Sequence, residues 1–292
     1  MDYCTVIPKS TIPAVHRIIV IGDIHGDWVA LRSALTLAKL VSADGAGTGV
    51  GGMWTGGTAH LVQVGDLIDR GGRAGAKFRD EHTESKILRY MFALKTQAQQ
   101  AGGDVHILLG NHELMNVAGD FRYVSPMGQN DFGGRRREAF RPGGSMAREL
   151  ACNTSAVLKI GSWIFSHAGV TSEVSSNYSP DEVNAHIRRY LLGDHASVDS
   201  RIMNMFWHRD YNDQSTCPAF RRAVSHWNAR NMAIGHTVTS GITNSCGRSL
   251  WSTDVALSDA FGRCSVGQKC IEILEILDDG RRINILKGRK GN

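Results

Sequence analysis

"RIIVIGDIHGDWVALRSALTLAKL" (17–40) begins with a short β-branched run, breaks at glycine and continues with apolar residues at helical spacing. The run 17–23 reads as a buried strand and 27–40 as a helix with one apolar face. The pattern recurs downstream. "HLVQVGD" (60–66) reads as a strand, "TESKILRYMFALKTQAQQ" (83–100) as a helix and "DVHILLGN" (104–111) as a strand. Strand and helix alternating in this way predict a mostly parallel sheet covered by helices. The stretch 42–60 is rich in glycine and reads as a surface loop. Its glycines do not follow a strand as a dinucleotide-binding fingerprint requires, so nucleotide-cofactor binding is not expected there.

The second half is richer in strands, at 156–169, 231–238, 249–257, 270–276 and 283–287, with helices near 179–192 and 218–229. Consecutive antiparallel strands late in the chain are expected to form a second sheet packed on the first. No Pro/Ser-rich linker or internal repeat divides the 292 residues, a length that supports a sizeable core. One domain over 14–288 is expected, with an N-terminal extension (1–13) and a frayed tail (289–292).

Composition excludes several classes. The net charge of +5 is too mild for a nucleic-acid binder, and no zinc-finger, RNA-recognition or basic-helix pattern is present. No apolar run is long enough to span a bilayer, and the first residues lack a signal-peptide pattern, so a cytoplasmic protein without a membrane partner is expected. Six cysteines are scattered without a CxxC pair and read as buried free thiols; the close group Cys246, Cys264 and Cys270 leaves room for one bridge.

The chemistry lies where strand-like runs end. Each is followed by glycine or a small residue and then by metal-ligating types: "GDIHG" (22–26), "GDLIDRG" (65–71), "GNHE" (110–113), "SHAG" (166–169) and "GH" (235–236). In a parallel sheet such ends share one rim, where ligands collect. Asp23, His25, Asp66, Asn111, His167 and His236 offer oxygen and imidazole donors, which suit Mn, Fe or Zn better than thiolate-seeking ions. Six donors serve two ions if one carboxylate bridges, and two such ions can generate hydroxide and clamp a phosphate. Singly, each motif has a bland reading as a capped turn or a hydrogen-bonded histidine. The weight rests on the ordered set.

That set resembles the calcineurin-like metallophosphoesterases and, within them, the phosphoprotein phosphatases. "GNHELMNVAGDFRYV" (110–124), "FWHRDY" (206–211) and "IGHTVTSGI" (234–242) look like the bacterial-like, Shewanella-like branch. The resemblance implies an α/β fold of two mixed sheets in a sandwich flanked by helices. It implies that Asp23 and His25 bind one metal, Asp66 bridges, and Asn111, His167 and His236 bind the second. It makes His112 the general acid oriented by Asp69, with Arg70 and Arg209 on phosphate oxygens. The expected activity is hydrolysis of phosphate monoesters on phosphorylated proteins or peptides (Ser/Thr or Tyr) by a metal-bridging hydroxide. A small-molecule phosphatase acting on dinucleoside polyphosphates and an inactive binding scaffold are the rivals. Glu113 is expected to support from behind, the "RRR" run (135–137) to be solvated, and Trp54, Trp163, Trp207, Trp227 and Trp251 to pack. The loop 42–58 and the segment 119–145 are expected at the rim of the site.

Overall fold

The computed structural model describes residues 3–4, 6–42, 51–71, 79–194 and 198–291. Its strands, in chain order, are β1 (Thr11–Ile12), β2 (Arg17–Ile21), β3 (His60–Gln63), β4 (Asp104–Leu108), β5 (Thr154–Ser155), β6 (Val157–Ile160), β7 (Trp163–Ser166), β8 (Asn231–Ile234), β9 (Thr243–Ser245), β10 (Leu250–Ser252), β11 (Ile271–Leu277) and β12 (Arg282–Gly288). One sheet runs β12-β11-β2-β3-β4-β5 and the other β1-β6-β7-β8-β10-β9.

In the first sheet β2, β3, β4 and β5 are parallel, as the alternating pattern predicts. Strict alternation on β2 sends its side chains to two different cores. Ile18 and Val20 join Val62, Leu158, Trp163, Phe165 and Trp251 between the sheets. Ile19 and Ile21 face the other way, into a core shared with helices α1 (Trp28–Leu37) and α2 (Glu84–Gln100). Asp27 caps α1 by accepting the Ala30 N–H at 2.9 Å, which fixes the turn directly after "GDIHG".

Three expectations change. The late β11–β12 hairpin joins the first sheet, antiparallel to β2, rather than building the second. The second sheet recruits β1 from the N-terminal extension, parallel to β6. The tail does not fray at Lys290: it is buried, with Nζ 2.5 Å from Asp27 Oδ2 and 2.9 Å from the Cys264 carbonyl. A buried ammonium needs such partners, and a carboxylate supplies the opposite charge.

The free-thiol expectation is also corrected. Cys4–Cys152, Cys217–Cys246 and Cys264–Cys270 are disulfides, accounting for all six cysteines. Spacing along the chain concealed the first two pairs because folding brings their Cα atoms to 5.2 Å across 148 and 29 residues. No helix among the described residues is long and apolar enough to cross a membrane.

Candidate metal centre

The motif residues meet at one rim because each follows a strand of the sandwich: Asp23 and His25 after β2, Asp66 after β3, Asn111 after β4, His167 after β7 and His236 after β8. Asn111 and His112 open helix α3 (Asn111–Val117). Turning sharply out of the sheets costs backbone strain. His25, Asp66, Asp69 and His236 all adopt positive φ, at 43°, 55°, 69° and 66°. Non-glycine residues pay for this conformation, and such strain gathers at functional sites. The preceding glycines let backbones touch. A Cβ on Gly110 would collide with Asp66 Oδ1, and one on Gly235 with Asp23 Oδ1.

Asp66 stands between two donor sets. Its Oδ2 lies 3.7 Å from His25 Nε2 and 3.3 Å from His167 Nε2. His25 Nε2 is 3.8 Å from Asp23 Oδ2. His167 Nε2 is 2.9 Å from Asn111 Oδ1 and 3.2 Å from His236 Nδ1. Donor atoms about 3–4 Å apart are spaced as neighbouring ligands of one ion with bonds of about 2 Å. The other ring nitrogen of His167 is 2.9 Å from the Val64 carbonyl, which orients the ring. The six expected ligands are therefore brought together.

Glu113 acts from behind. Its carboxylate accepts the N–H groups of Gly110 (2.8 Å), Asp66 (3.0 Å), Leu67 (2.8 Å) and Ile68 (3.3 Å). It thus ties the strand ends of β3 and β4 together, as a supporting part. Electrostatics favour a cation here. Burial, then the neighbouring Asp254 and Asp66, push the Asp23 carboxyl well above its usual range. Burial and Asp66 push Glu113 up to about 7. Burial alone would also raise Asp66, but His167, His112 and His25 together hold it well below the usual range. Burial and the neighbouring His167 hold His236 down at about 3, so that ring is neutral and able to donate a lone pair. Buried carboxylates set among imidazoles, oxygen and nitrogen donors together, suit divalent metal ions.

The cleft above this centre, about 690 Å³, is lined by His25, Asp66, Asn111, His112 and Arg209, among others. His112 Nδ1 is 2.9 Å from Asp69 Oδ2, the expected acid pair. Arg209 reaches the rim, with Nη1 3.3 Å from Thr237 Oγ1. Arg70 is a correction: it is buried and is not among the residues lining the cleft. Its Nη2 pairs with Asp259 at 2.6 Å, Nη1 donates to the Gly26 carbonyl and Nε to the Arg79 carbonyl. A DRG motif gives residue type, and only the fold says where the guanidinium points.

The segment 119–145 does supply the rim, through Asp120, Arg122 and Tyr123. The described part of the glycine-rich loop does not. It packs on α2, where the Tyr90 hydroxyl donates to the Gly52 carbonyl and Gln97 accepts from the Trp54 N–H; residues 43–50 lie outside the described residues. Trp207, expected to pack, is 42% exposed and lines the cleft. Sequence reasoning also missed Asp254, Tyr123, Phe261, Asn116 and Arg136. Asn116 had a signal, since it stands one helical turn after His112. Arg136 had none, being one arginine of three.

A sequence model of the calcineurin-like phosphoesterases matches residues 16–239, and the chain belongs to this family. It is therefore a phosphoesterase of a metal-dependent class, with a site built to match. Within the family it is 29% identical to "Shewanella-like protein phosphatase 2" of Arabidopsis thaliana, over 91% of this chain and 77% of that protein. It is 26% identical to "Shewanella-like protein phosphatase 1" of Plasmodium berghei, over 76% of this chain and 61% of that protein. In fold it matches the cold-active protein-tyrosine phosphatase of a psychrophilic Shewanella species, with a TM-score of 0.76 at 24% identity, covering 96% of this chain and 83% of that one.

Proposed function

We propose that the protein is a dinuclear-metal phosphatase acting on phosphate monoesters of proteins or peptides. One observation carries this reading: Asp66 Oδ2 lies between two donor sets on the floor of the cleft that the His112–Asp69 pair also faces. Asp23, His25 and Asp66 would hold one ion, and Asp66, Asn111, His167 and His236 the other. Mn, Fe and Zn all accept these donors. Bound there, the ions supply Lewis acidity toward water and toward the phosphoryl oxygens.

The chain's own groups supply the rest. His112 Nε2 faces the cleft while Nδ1 is held by Asp69, so the ring is set to deliver a proton to the leaving oxygen. Arg209, at the rim, offers a planar fork to a phosphate oxygen. Tyr123 and Phe261 stand edge-on to His112 and His25 at 4.9 and 5.2 Å and form walls of the cleft. An open rim carrying Arg122, Arg209 and Trp207 suits a phosphorylated side chain presented on a larger chain. The complete ligand set weighs against an inactive scaffold, and the Asp69–His112 contact weighs against the dinucleoside-polyphosphate reading.

The three disulfides count against the cytoplasmic expectation, since such bridges persist mainly in oxidising compartments. The test is turnover of p-nitrophenyl phosphate by metal-stripped protein after adding Mn, Fe or Zn, followed by a panel of phosphotyrosine, phosphoserine and phosphothreonine peptides beside a diadenosine polyphosphate. Metal-restored turnover with preference for peptides supports the reading. Absence of turnover with every metal and pH, or preference for the dinucleotide, refutes it.

A further inference from the structure

We propose that Arg136 is a positioning residue for the general-acid pair: it holds Asp69, and through Asn116 the geometry in which Asp69 receives His112. The proposal rests on the phosphatase reading for its kinetic consequence, and its structural readout is independent of that reading.

Arg136 opens the short helix α5 (Arg136–Phe140), which follows α4 (Pro126–Asn130). Arg135 and Arg137 on either side are exposed, whereas Arg136 is 2% exposed. Its guanidinium carbon stands 5.3 Å from the ring centroids of both Phe132 and Phe140. The edge of the fork is fully engaged. Nη2 donates to Asp69 Oδ1 at 2.9 Å, Nε to Asn116 Oδ1 at 2.7 Å and Nη1 to the Gly128 carbonyl at 3.0 Å. Nη1 also pairs with Glu84 Oε2 at 2.7 Å.

These contacts fix Asp69 from two sides. Glu84 Oε1 accepts the Asp69 backbone N–H at 3.0 Å, holding the strained turn in which Asp69 sits. Arg136 and Asn116 hold its side chain: Asn116 Nδ2 donates to the two carboxylate oxygens at 2.9 and 3.0 Å. Arg136 also anchors the other end of the Asn116 amide. Its Nε is a donor, so it takes the amide oxygen and leaves the amide nitrogen for Asp69. Asn116 Nδ2 also donates to the His112 carbonyl at 2.9 Å, so without Arg136 the amide keeps its orientation but its oxygen loses the charged donor that anchors it. Asp69 then loses its charged donor and is held less rigidly by Asn116, and His112 Nδ1 loses a fixed acceptor. The ring needs that acceptor to keep Nε2 toward the substrate. The charge balance agrees: two buried carboxylates, Asp69 and Glu84, share this one buried guanidinium.

A purely structural role would make Arg136 matter equally for every substrate. A positioning role makes it matter only where the acid matters. The experiment compares kcat and KM for phenyl phosphate, whose leaving group needs a proton, with dinitrophenyl phosphate, whose leaving group does not. Arg136→Lys keeps the charge but cannot reach Asp69, Asn116, Glu84 and Gly128 together. It is expected to lower kcat on phenyl phosphate by about 10-fold and leave both KM values and the dinitrophenyl ester within about 2-fold. In a His112→Asn background it is expected to add nothing on phenyl phosphate. Leu150→Ala, a core truncation, controls for lost stability and is expected to affect both esters alike.

The second readout is the imidazole signal of nitrogen-labelled His112 in zinc-loaded protein. The proton on Nδ1, bonded to Asp69, is expected to be protected in the wild type and lost or shifted in Arg136→Lys, while Leu150→Ala retains it. Equal kinetic losses on the two esters, independent effects in the double variant, or an unchanged His112 signal in Arg136→Lys would each overturn the proposal. If the wild type hydrolyses neither ester, the phosphatase reading fails, and the His112 signal alone decides whether Arg136 positions the pair.

Discussion

At Asp66 two demands meet on one carboxylate. Oδ1 accepts the His112 N–H at 3.0 Å, fixing the start of α3, while Oδ2 faces both donor sets. Asp66→Asn separates these tasks. Asparagine keeps an oxygen for the His112 N–H and places an amide nitrogen, a donor, where the ions need a lone pair. Metal affinity is expected to fall more than about 100-fold, with activity following it, while thermal unfolding of the metal-free protein changes little. Metal content after gel filtration and a melting curve check both halves; retained metal would remove the bridging role. The ligands were legible because each sits directly after a strand-like run and a small residue. The direction of a side chain was not. Arg70 and Arg136 are both arginines in short polar stretches, yet Arg70 is claimed by Asp259 and Arg136 by Asp69, Asn116 and Glu84. Those partners come from segments distant in sequence, and no local pattern announces them.

Among the elements, those read correctly are those whose apolar period is strong: β2, β3 and β4 with α1 and α2 between them. The elements that escaped are short or depend on tertiary partners. β1 has two residues and exists because β6 offers an edge to pair with. The β11–β12 hairpin is legible as a hairpin, but its choice of sheet is set by the open edge of β2. The N-terminal segment is further tied by Cys4–Cys152, which closes a loop of 148 residues in sequence separation. Closing so long a loop restricts the unfolded chain, and the double change Cys4→Ser/Cys152→Ser is expected to lower unfolding free energy by about 3–5 kcal/mol. Urea unfolding under non-reducing conditions measures it. Because the bridge lies with His60 and His106 around a cavity separate from the metal cleft, turnover at low temperature is expected to stay near wild type. A loss of turnover as large as that of Asp66→Asn, with the fold intact, would show that the segment reaches the catalytic rim.

For the whole molecule, the two ends of the parallel strands divide the titrating groups. The carboxyl ends carry the metal centre; the amino-end half carries His60 and His106, on neighbouring strands β3 and β4, with His60 Nδ1 2.9 Å from His106 Nε2. Burial, then the neighbouring His60 and Lys95, hold His106 well below its usual value of 6.5. Burial lowers His60 as well, against the pull of Asp104. The sign of the pH dependence follows. Above pH 6.5 the folded and unfolded chains both carry neutral His106, and its burial costs nothing in proton binding. As pH falls below that value, the unfolded chain takes up a proton that the folded chain refuses, so stability declines, by at most about 1.4 kcal/mol per pH unit for this one group. The decline ends only when pH reaches the lower folded value. His106→Gln removes the titration and retains an amide that can bond His60. The wild type is therefore expected to lose more stability than His106→Gln between pH 7.5 and 5.5, measured by urea unfolding with the disulfides intact. Comparing the two proteins cancels the metal-site carboxylates and histidines, which titrate alike in both. Parallel pH profiles would mean that His106 accepts a proton in the folded state, with Asp104 or solvent compensating, and that its burial is no source of acid sensitivity.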